Sequence, residues 1–485
     1  MTLTDLVQNM NVVLPMAVLI AWACGLLLVD LFIPRGHKGW TGMLAALGLL
    51  ISMGLTIIQF GRSSVGFDGM VINDGFSFFL NILFLGSGLA GIALAYDYIK
   101  RMEIERGEYY ILLLFSTSGM MLMTQANDLI VVFLALELLS IPLYILAGFA
   151  RPRLESEEAA LKYFLMGAFA GSFVVFGVAL VFGATGTTNL SAVFSTIRSH
   201  VANLPLLTVG AALILVGMGF KIAAVPFHMW TPDVYHGAPS SVTAFMSVGA
   251  KAGGFAALLR IFVSAFPALS PDLTMILWTI SALTMFLGNV VAIAQSNIKR
   301  LLAYSSIANA GYILMALVPY GNTAINSHTI SAALFYLVAY AFTSMGAWAV
   351  VIALEKAEGQ GLALDDYAGL ARKYPLLAAS MAVFMLSFTG VPPTLGFMGK
   401  FYLFRTVIEG GYLGLALIGV FTSLISAYYY LRIIVIMYMK DGEPVARTEF
   451  WVQFTAAATA TLVILLSLIA GPLMTLASKA VLLTF

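Results

Sequence analysis

The sequence has 485 residues, of which 61% are hydrophobic and only 10% charged. Soluble domains carry about 25% charged residues, so the chain is a polytopic membrane protein. Its formal net charge of +1 gives no electrostatic footprint for nucleic acid and excludes that class of partner.

Apolar runs of about 20 residues cross a bilayer as helices. Fourteen are present, at 11–33, 40–60, 75–96, 109–124, 128–149, 160–184, 205–226, 239–264, 272–295, 301–319, 329–354, 376–410, 412–438 and 452–477. The N-terminus holds Asp5 and no early basic residue, so the first run is expected to stay as a span and not to be a cleaved signal. Cys24, the single cysteine, lies in that run. It excludes a disulfide framework or a multi-cysteine metal or iron–sulfur site in this chain, and is expected to be a small buried hydrophobe. The predicted fold is an all-α polytopic membrane bundle of about fourteen transmembrane helices. Residues 185–204, with Arg198 and His200, are expected to form a surface turn or short amphipathic helix. The polar stretch from Glu355 to Tyr374 is read as a solvated connector.

Basic residues orient the bundle. Loops after the odd-numbered spans hold Arg35, Lys38, Lys100, Arg101, Arg106, Arg151, Arg153, Lys299, Arg300, Lys356, Arg372, Lys373, Lys440 and Arg447. The opposite side holds only Arg62, Arg198 and Lys479. Both termini are therefore expected on the non-cytoplasmic side. Seven basic residues fall inside or at the ends of spans: Lys162, Lys221, Lys251, Arg260, Lys400, Arg405 and Arg432. The three arginines among them are expected to anchor at the membrane interface.

Two spans are interrupted. In the seventh, Lys221 precedes its breaker Pro226; in the twelfth, Pro392 and Pro393 precede Lys400. These spans lie five apart, so they cross in opposite senses, and paired broken helices in two halves point to inverted repeats. The expected division is 1–104 for spans 1–3, 105–265 for a first repeat of spans 4–8, 266–440 for a second of spans 9–13, and 441–485 for span 14.

An ionisable side chain inside a span costs roughly 2.5–3.5 kcal/mol at a helix centre and by default marks an ion or substrate path. Broken backbone at that depth is tolerated only facing protein or a wet cavity. Glu137 lies near the middle of the fifth span, Lys221 at the first break, Lys251 centrally in the eighth, and Lys400 beyond the second break. Loss of water favours a neutral amine, and a nearby carboxylate restores the charge. A carboxylate moving nearer or farther would therefore switch a lysine between holding and releasing a proton. Glu137, Lys221, Lys251 and Lys400, joined by water and hydroxyls such as Ser305 and Ser306, are the expected proton relay. Lys162 and His228 are secondary candidates, although Lys162 can equally snorkel to the interface. Tyr428-Tyr429-Tyr430 is read as packing or an aromatic belt. The sequence shows no Gly-rich phosphate loop and no metal-ligand spacing of histidines.

Three stretches carry a family resemblance: Gly219-Phe220-Lys221 running into Val225-Pro226-Phe227-His228-Met229-Trp230-Thr231-Pro232-Asp233-Val234-Tyr235; Asn297-Ile298-Lys299-Arg300-Leu301-Leu302-Ala303-Tyr304-Ser305-Ser306; and Gly390-Val391-Pro392-Pro393-Thr394-Leu395-Gly396-Phe397-Met398-Gly399-Lys400. They resemble the antiporter-like subunits of respiratory complex I, the proton-translocating NADH:quinone oxidoreductase. The Thr-Pro-Asp-Val-Tyr form and a lysine at 400 are most similar to the N branch of that family, counterpart of mitochondrial subunit 2, and less so to its sister branches L and M. The L branch would add a long C-terminal lateral helix, which is not expected here after span 14.

The resemblance implies a non-redox subunit of a translocase in the bacterial cytoplasmic membrane. Its relay would match Glu137, Lys221, Lys251 and Lys400. Its partners would be other membrane-arm subunits, including antiporter-like sisters. NADH, FMN, iron–sulfur clusters and quinone would belong to other subunits, with no cofactor in this chain. Three alternatives stand beside it: a cation/proton antiporter subunit, a ferredoxin-using photosynthetic relative, and a structural spacer without its own channel.

Overall fold

The computed structural model describes residues 3–199, 202–322, 324–356, 359–480 and 482, with side chains from Gln8 onward. The helices run α1 (Leu3–Asp30), α2 (Gly39–Ile58), α3 (Gly75–Tyr96), α4 (Tyr98–Arg101), α5 (Glu108–Gln125), α6 (Leu129–Ala147), α7 (Leu154–Thr185), α8 (Leu190–Arg198), α9 (Leu204–Lys221) and α10 (Trp230–Gly237). They continue as α11 (Ser240–Ser264), α12 (Ser270–Ile293), α13 (Ile298–Leu317), α14 (Asn326–Leu354), α15 (Leu370–Lys373), α16 (Pro375–Thr389), α17 (Leu395–Glu409), α18 (Leu413–Met439), α19 (Phe450–Leu468) and α20 (Ala470–Lys479).

Among the described residues, eleven helices are long and apolar enough to cross a membrane. Each of the fourteen apolar runs falls on a helix or a broken pair, but α5, α13 and the α16–α17 pair lie outside the eleven. α16 and α17 are each only 15 residues long, and for α5 and α13 the reason is composition. α5 and α13 carry serines, threonines and amides that are buried inside the bundle, where a helix needs no lipid-compatible surface. α11 is buried from Ser240 to Val263 and α14 nearly so; these two form the axis. α1, α7, α18 and α19 turn apolar side chains such as Leu28, Phe169, Leu424 and Phe454 outward.

α5 packs on α6 and α11, as α12 packs on α13 and α18. α6 starts at a cap, Asp128, bridged to Asn189; α13 starts at a cap, Asn297, bridged to Ala363.

The structure departs from the sequence reading in several places. The chain is not purely helical: Ser64–Gly66 and Val71–Asn73 form an antiparallel hairpin, too short for a period-2 pattern to register. Cys24 is exposed, because the buried stripe of α1 runs through Leu19, Ala23 and Leu26 and the next residue turns away from it. The 185–204 stretch does hold the expected short amphipathic helix, α8, which buries Leu190, Val193 and Ile197, while His200 lies outside the described residues. The Glu355–Tyr374 connector, of which 357 and 358 are not described, is only partly solvated. Glu355 is 2% exposed, and Leu364, Tyr367 and Leu370 are buried, while Arg372 and Lys373 pair with Asp441 and Glu443.

Arg260 is not an interface anchor. It is 1% exposed and forks onto Asp74, with Nη1 donating to Oδ2 at 3.0 Å and Nη2 to Oδ1 at 2.9 Å. Asp74 is also the N-cap of α3, accepting from the Ser77 amide at 2.9 Å, so one carboxylate closes a helix end and neutralises a guanidinium. The outer arginines behave more as expected: Arg405 pairs with Glu409 at an exposed site, and half-buried Arg432 reaches the Ile293 carbonyl at 3.5 Å.

Removing one partner of a buried pair strands the other charge, at a cost of about 3–5 kcal/mol. Arg260→Met is therefore expected to lower the thermal midpoint of the purified chain sharply. Asp74→Leu combined with Arg260→Met should be milder than the single change. An Arg260→Met chain as stable as the wild type would contradict this account.

Candidate functional site

The two helix breaks follow from proline chemistry. A proline lacks an N–H and its ring crowds the carbonyl four residues earlier. Pro226 thus ends regular helix before Ile222, and α9 stops at Lys221 itself, five residues ahead of the proline and not beside it. Ala223 has φ +61°, and the Val225–Pro226 bond is cis. The freed backbone finds partners: the Trp230 indole donates to Phe220 O at 3.0 Å, and the Val225 amide donates to Thr284 Oγ1 at 2.9 Å. In the second break, Pro392 and Pro393 free the carbonyls of Phe388 and Thr389. Lys400 binds those same two oxygens, at 2.9 and 3.0 Å, and Ser423 Oγ at 2.7 Å. Three acceptors match the three donors of an ammonium. A helix C-terminus also favours a cation.

Lys221 is 3% exposed. Its Nζ donates to Ser140 Oγ of α6 at 2.7 Å and to Tyr163 OH of α7 at 3.3 Å, lying 5.4 and 5.9 Å from the Tyr163 and Tyr144 ring centres. Trp230 stacks on Tyr163 at 4.6 Å and fixes that ring. Glu137 sits one turn before Ser140 and is half-buried; no ion pair within 4 Å joins it to Lys221 among the described residues. Gly171 of α7 leaves it room: a Cβ there would lie 3.3 Å from Glu137 Oε1.

Lys251, 3% exposed, donates to the Ser306 carbonyl and lies 5.7 Å from the Tyr340 ring centre. Gly254, one turn on, packs against the Lys221 stem, where a Cβ would meet Lys221 Cγ at 3.4 Å. Between Lys251 and Lys400, one face of α13 is polar at Ser305, Asn309 and Tyr312, the i, i+4, i+7 positions of a single stripe. Tyr340 OH donates to Ser306 Oγ at 2.8 Å, and Tyr336 OH to Asn309 Oδ1 at 2.6 Å. Ser305 Oγ and Tyr430 OH share a hydrogen bond. The Tyr312 hydroxyl meets Thr422 at 3.1 Å, and its ring centre lies 4.7 Å from Lys400 Nζ.

The secondary candidates lie outside this line. Lys162 is 40% exposed on its side chain and pairs with Glu158 at 2.6 Å and Asp233 at 2.7 Å, Asp233 also binding Arg300 at 2.9 Å. Burial pushes the Asp233 carboxyl up, but hydrogen bonds from Lys162 and Arg300 outweigh it and hold it below the usual carboxylate range. His228 is half-buried and its Nδ1 has no partner among the described residues. Pro226, Pro392 and Pro393 are exposed.

Several polar groups escaped the sequence reading. Tyr429 and Tyr430 are not a belt: both are buried and bond Asn289 and Ser305, whereas Tyr428 is exposed. Lys299, counted with a basic loop, is 2% exposed, donates to Ala238 O at 2.8 Å and lies 3.8 Å from Glu355. The 305/309/312 spacing and Tyr336/Tyr340 at i, i+4 were the available signals. No cluster of three His, Cys, Asp or Glu able to hold a metal occurs among the described residues.

Residues 126–426 match the family described as NADH:quinone oxidoreductase/Mrp antiporter, TM. NADH-quinone oxidoreductase subunit N of Trichlorobacter lovleyi is 46% identical over 94% of this chain and 92% of its own length. A chain in the structure of respiratory complex I from Thermus thermophilus is 35% identical, with TM-score 0.83 over 96% of this chain and 99% of that one. A chain of the Mrp complex from Dietzia sp. shares the fold, with TM-score 0.86 at 20% identity over 97% of both.

Gly390 and Gly36 both have φ +89°, but a Cβ at 390 would lie 3.0 Å from Lys400 Cδ while one at 36 would meet nothing within 4 Å. The left-handed conformation alone costs an alanine roughly 1–2 kcal/mol. Gly390→Ala is expected to lower the thermal midpoint more than Gly36→Ala does, the excess measuring how tightly Lys400 is held. Equal losses would show that Lys400 has room to move aside.

Proposed function

The chain belongs to the NADH:quinone oxidoreductase/Mrp antiporter transmembrane family, and from that membership we propose that it is a proton-translocating membrane-arm subunit of a bacterial NADH-quinone oxidoreductase, respiratory complex I, set beside other antiporter-like subunits. In this proposal it crosses the cytoplasmic membrane fourteen times with both termini on the non-cytoplasmic side. Residues 105–265 and 266–440 are inverted repeats, supported by the matched packing of α5 and α12 and the matched caps Asp128 and Asn297; 1–104 and 441–485 are additions. Electron transfer from NADH through FMN and iron–sulfur clusters to quinone belongs to other subunits, and this chain does no redox chemistry.

The observation that carries the proposal is the set of three buried lysines, with a stripe of buried polar side chains between Lys251 and Lys400. Each hydroxyl along it both donates and accepts, so a proton can be handed on while each oxygen keeps its bonds. Lys221 is the entry amine of the line. Glu137, one turn from Ser140 and packed against Gly171, supplies the negative charge whose approach favours the ammonium and whose withdrawal favours release. Lys251 takes the proton onto an amine with a single carbonyl acceptor. The Ser305, Asn309 and Tyr312 stripe leads to Lys400, where three acceptors hold an ammonium. Lys162 is a structural anchor in this scheme, tied into an exposed cluster.

Inverted membrane vesicles containing the assembled complex test the scheme, with NADH oxidation and proton uptake read together. Lys221→Ala and Lys400→Ala are expected to cut proton translocation roughly a hundredfold, as loss of a positioned proton-transfer group does. Asn309→Leu, which strips Tyr336 of its acceptor, should give an intermediate loss. Lys162→Ala should keep pumping, because exposed pairs contribute about 1 kcal/mol or less. Full pumping in Lys221→Ala and Lys400→Ala would leave the chain a spacer.

A further inference from the structure

A crevice of about 760 Å³ lies among α2, α3, α14, α19 and α20, away from the lysine line. Its walls are apolar, with Phe79, Ile82, Val338, Phe342 and Leu466 among them. It follows α3 from Gly75 to Ala90, a depth of about 22 Å at 1.5 Å per residue, longer than half of a hydrocarbon core about 30 Å thick. At its mouth stand Arg62, just beyond α2, and Lys479, the last residue of α20. Both are exposed, and neither side chain has a hydrogen-bond or ion-pair partner among the described residues. The acid that also lines the crevice, Asp74, is committed to Arg260, so the mouth keeps a net positive charge. The sequence puts only three basic residues on this face, and two of them are here.

We propose that this crevice binds one anionic phospholipid, its phosphate between Arg62 and Lys479 and its acyl chains along α3 and α14. The chemistry is complementary at both ends. An Arg guanidinium and a Lys ammonium suit a phosphate oxygen cluster, and basic pockets between membrane helices attract anionic headgroups. A slot deeper than one leaflet accepts full-length chains. A neighbouring protein helix would fill the apolar part but brings no obligatory negative charge to the rim. Gly86 opens the slot: a Cβ built there meets nothing within 4 Å.

The test uses the full chain in detergent with equimolar phosphatidylglycerol and phosphatidylcholine of the same acyl composition, bound lipid being counted by native mass spectrometry. Phosphatidylglycerol should be retained roughly tenfold over phosphatidylcholine, the effect of rim cations at headgroup depth. Arg62→Gln with Lys479→Gln should bring that ratio near one. Gly86→Leu, with an unchanged thermal midpoint, should lose both lipids because its side chain occupies the slot. Equal retention of the two lipids by the wild type, or variants with unaltered preference and occupancy, would overturn the proposal. So would a photoreactive benzoyl-phenylalanine at Phe342 that crosslinks in intact membranes to a polypeptide and not to lipid.

Discussion

An ammonium withdrawn from water must be given acceptors by the protein, and the bundle is arranged around meeting that demand for Lys221, Lys251 and Lys400. None of the three is bonded directly to a carboxylate. Their partners are hydroxyls, backbone carbonyls and aromatic faces, all neutral. A neutral cage stabilises a charge without neutralising it, so the site can lose a proton without leaving a stranded anion. A tight carboxylate pair would hold its proton and, broken on one side, would cost several kcal/mol.

The bundle contains such pairs as well, and their position is instructive. Arg260–Asp74 and Lys299–Glu355 are both almost fully buried. The first closes the start of α3 against the end of α11. The second lies where α13 begins and α14 ends. Pairs that fix helix ends sit at helix ends, whereas Lys251 lies mid-helix and Lys221 and Lys400 flank the two helix breaks. Scaffold charges and proposed relay charges are thus distinguished by what surrounds them, not by how deeply they are buried.

What could be read from the sequence follows the same division. A lysine in an apolar run announces itself locally, as do prolines interrupting a span, so Lys221, Lys251, Lys400 and both breaks were legible. Arg260 and Lys299 sit near span ends, where a loop or anchor is the default reading, and their partners lie 186 and 56 residues away. Only tertiary packing brings those together. The stripe on α13 was half legible: Ser305 and Ser306 stood out, but Tyr336, Tyr340 and Tyr430 come from other helices and look like ordinary aromatic packing until their hydroxyls are placed. Cys24 failed for a smaller reason, since a helix facing lipid is apolar on both its faces and periodicity cannot say which one is buried.

The two breaks are not equivalent, and the difference gives the proposed relay a direction of control. Lys400 follows its prolines, so its side chain reaches back to the Phe388 and Thr389 carbonyls that those prolines freed. Two of its three acceptors are backbone, fixed by the fold, and the third is the Ser423 hydroxyl. Lys221 precedes its proline, and the carbonyl freed nearby goes to Trp230 instead, leaving the ammonium to side chains of α6 and α7. Those helices also carry Glu137 and Gly171, whose missing side chain leaves the carboxylate its place. The Lys221 ammonium therefore rests on side chains that can rotate, whereas the Lys400 ammonium rests mainly on backbone that cannot. A signal arriving from a neighbouring subunit would act on the Glu137–Lys221 end, and the Lys400 end would respond.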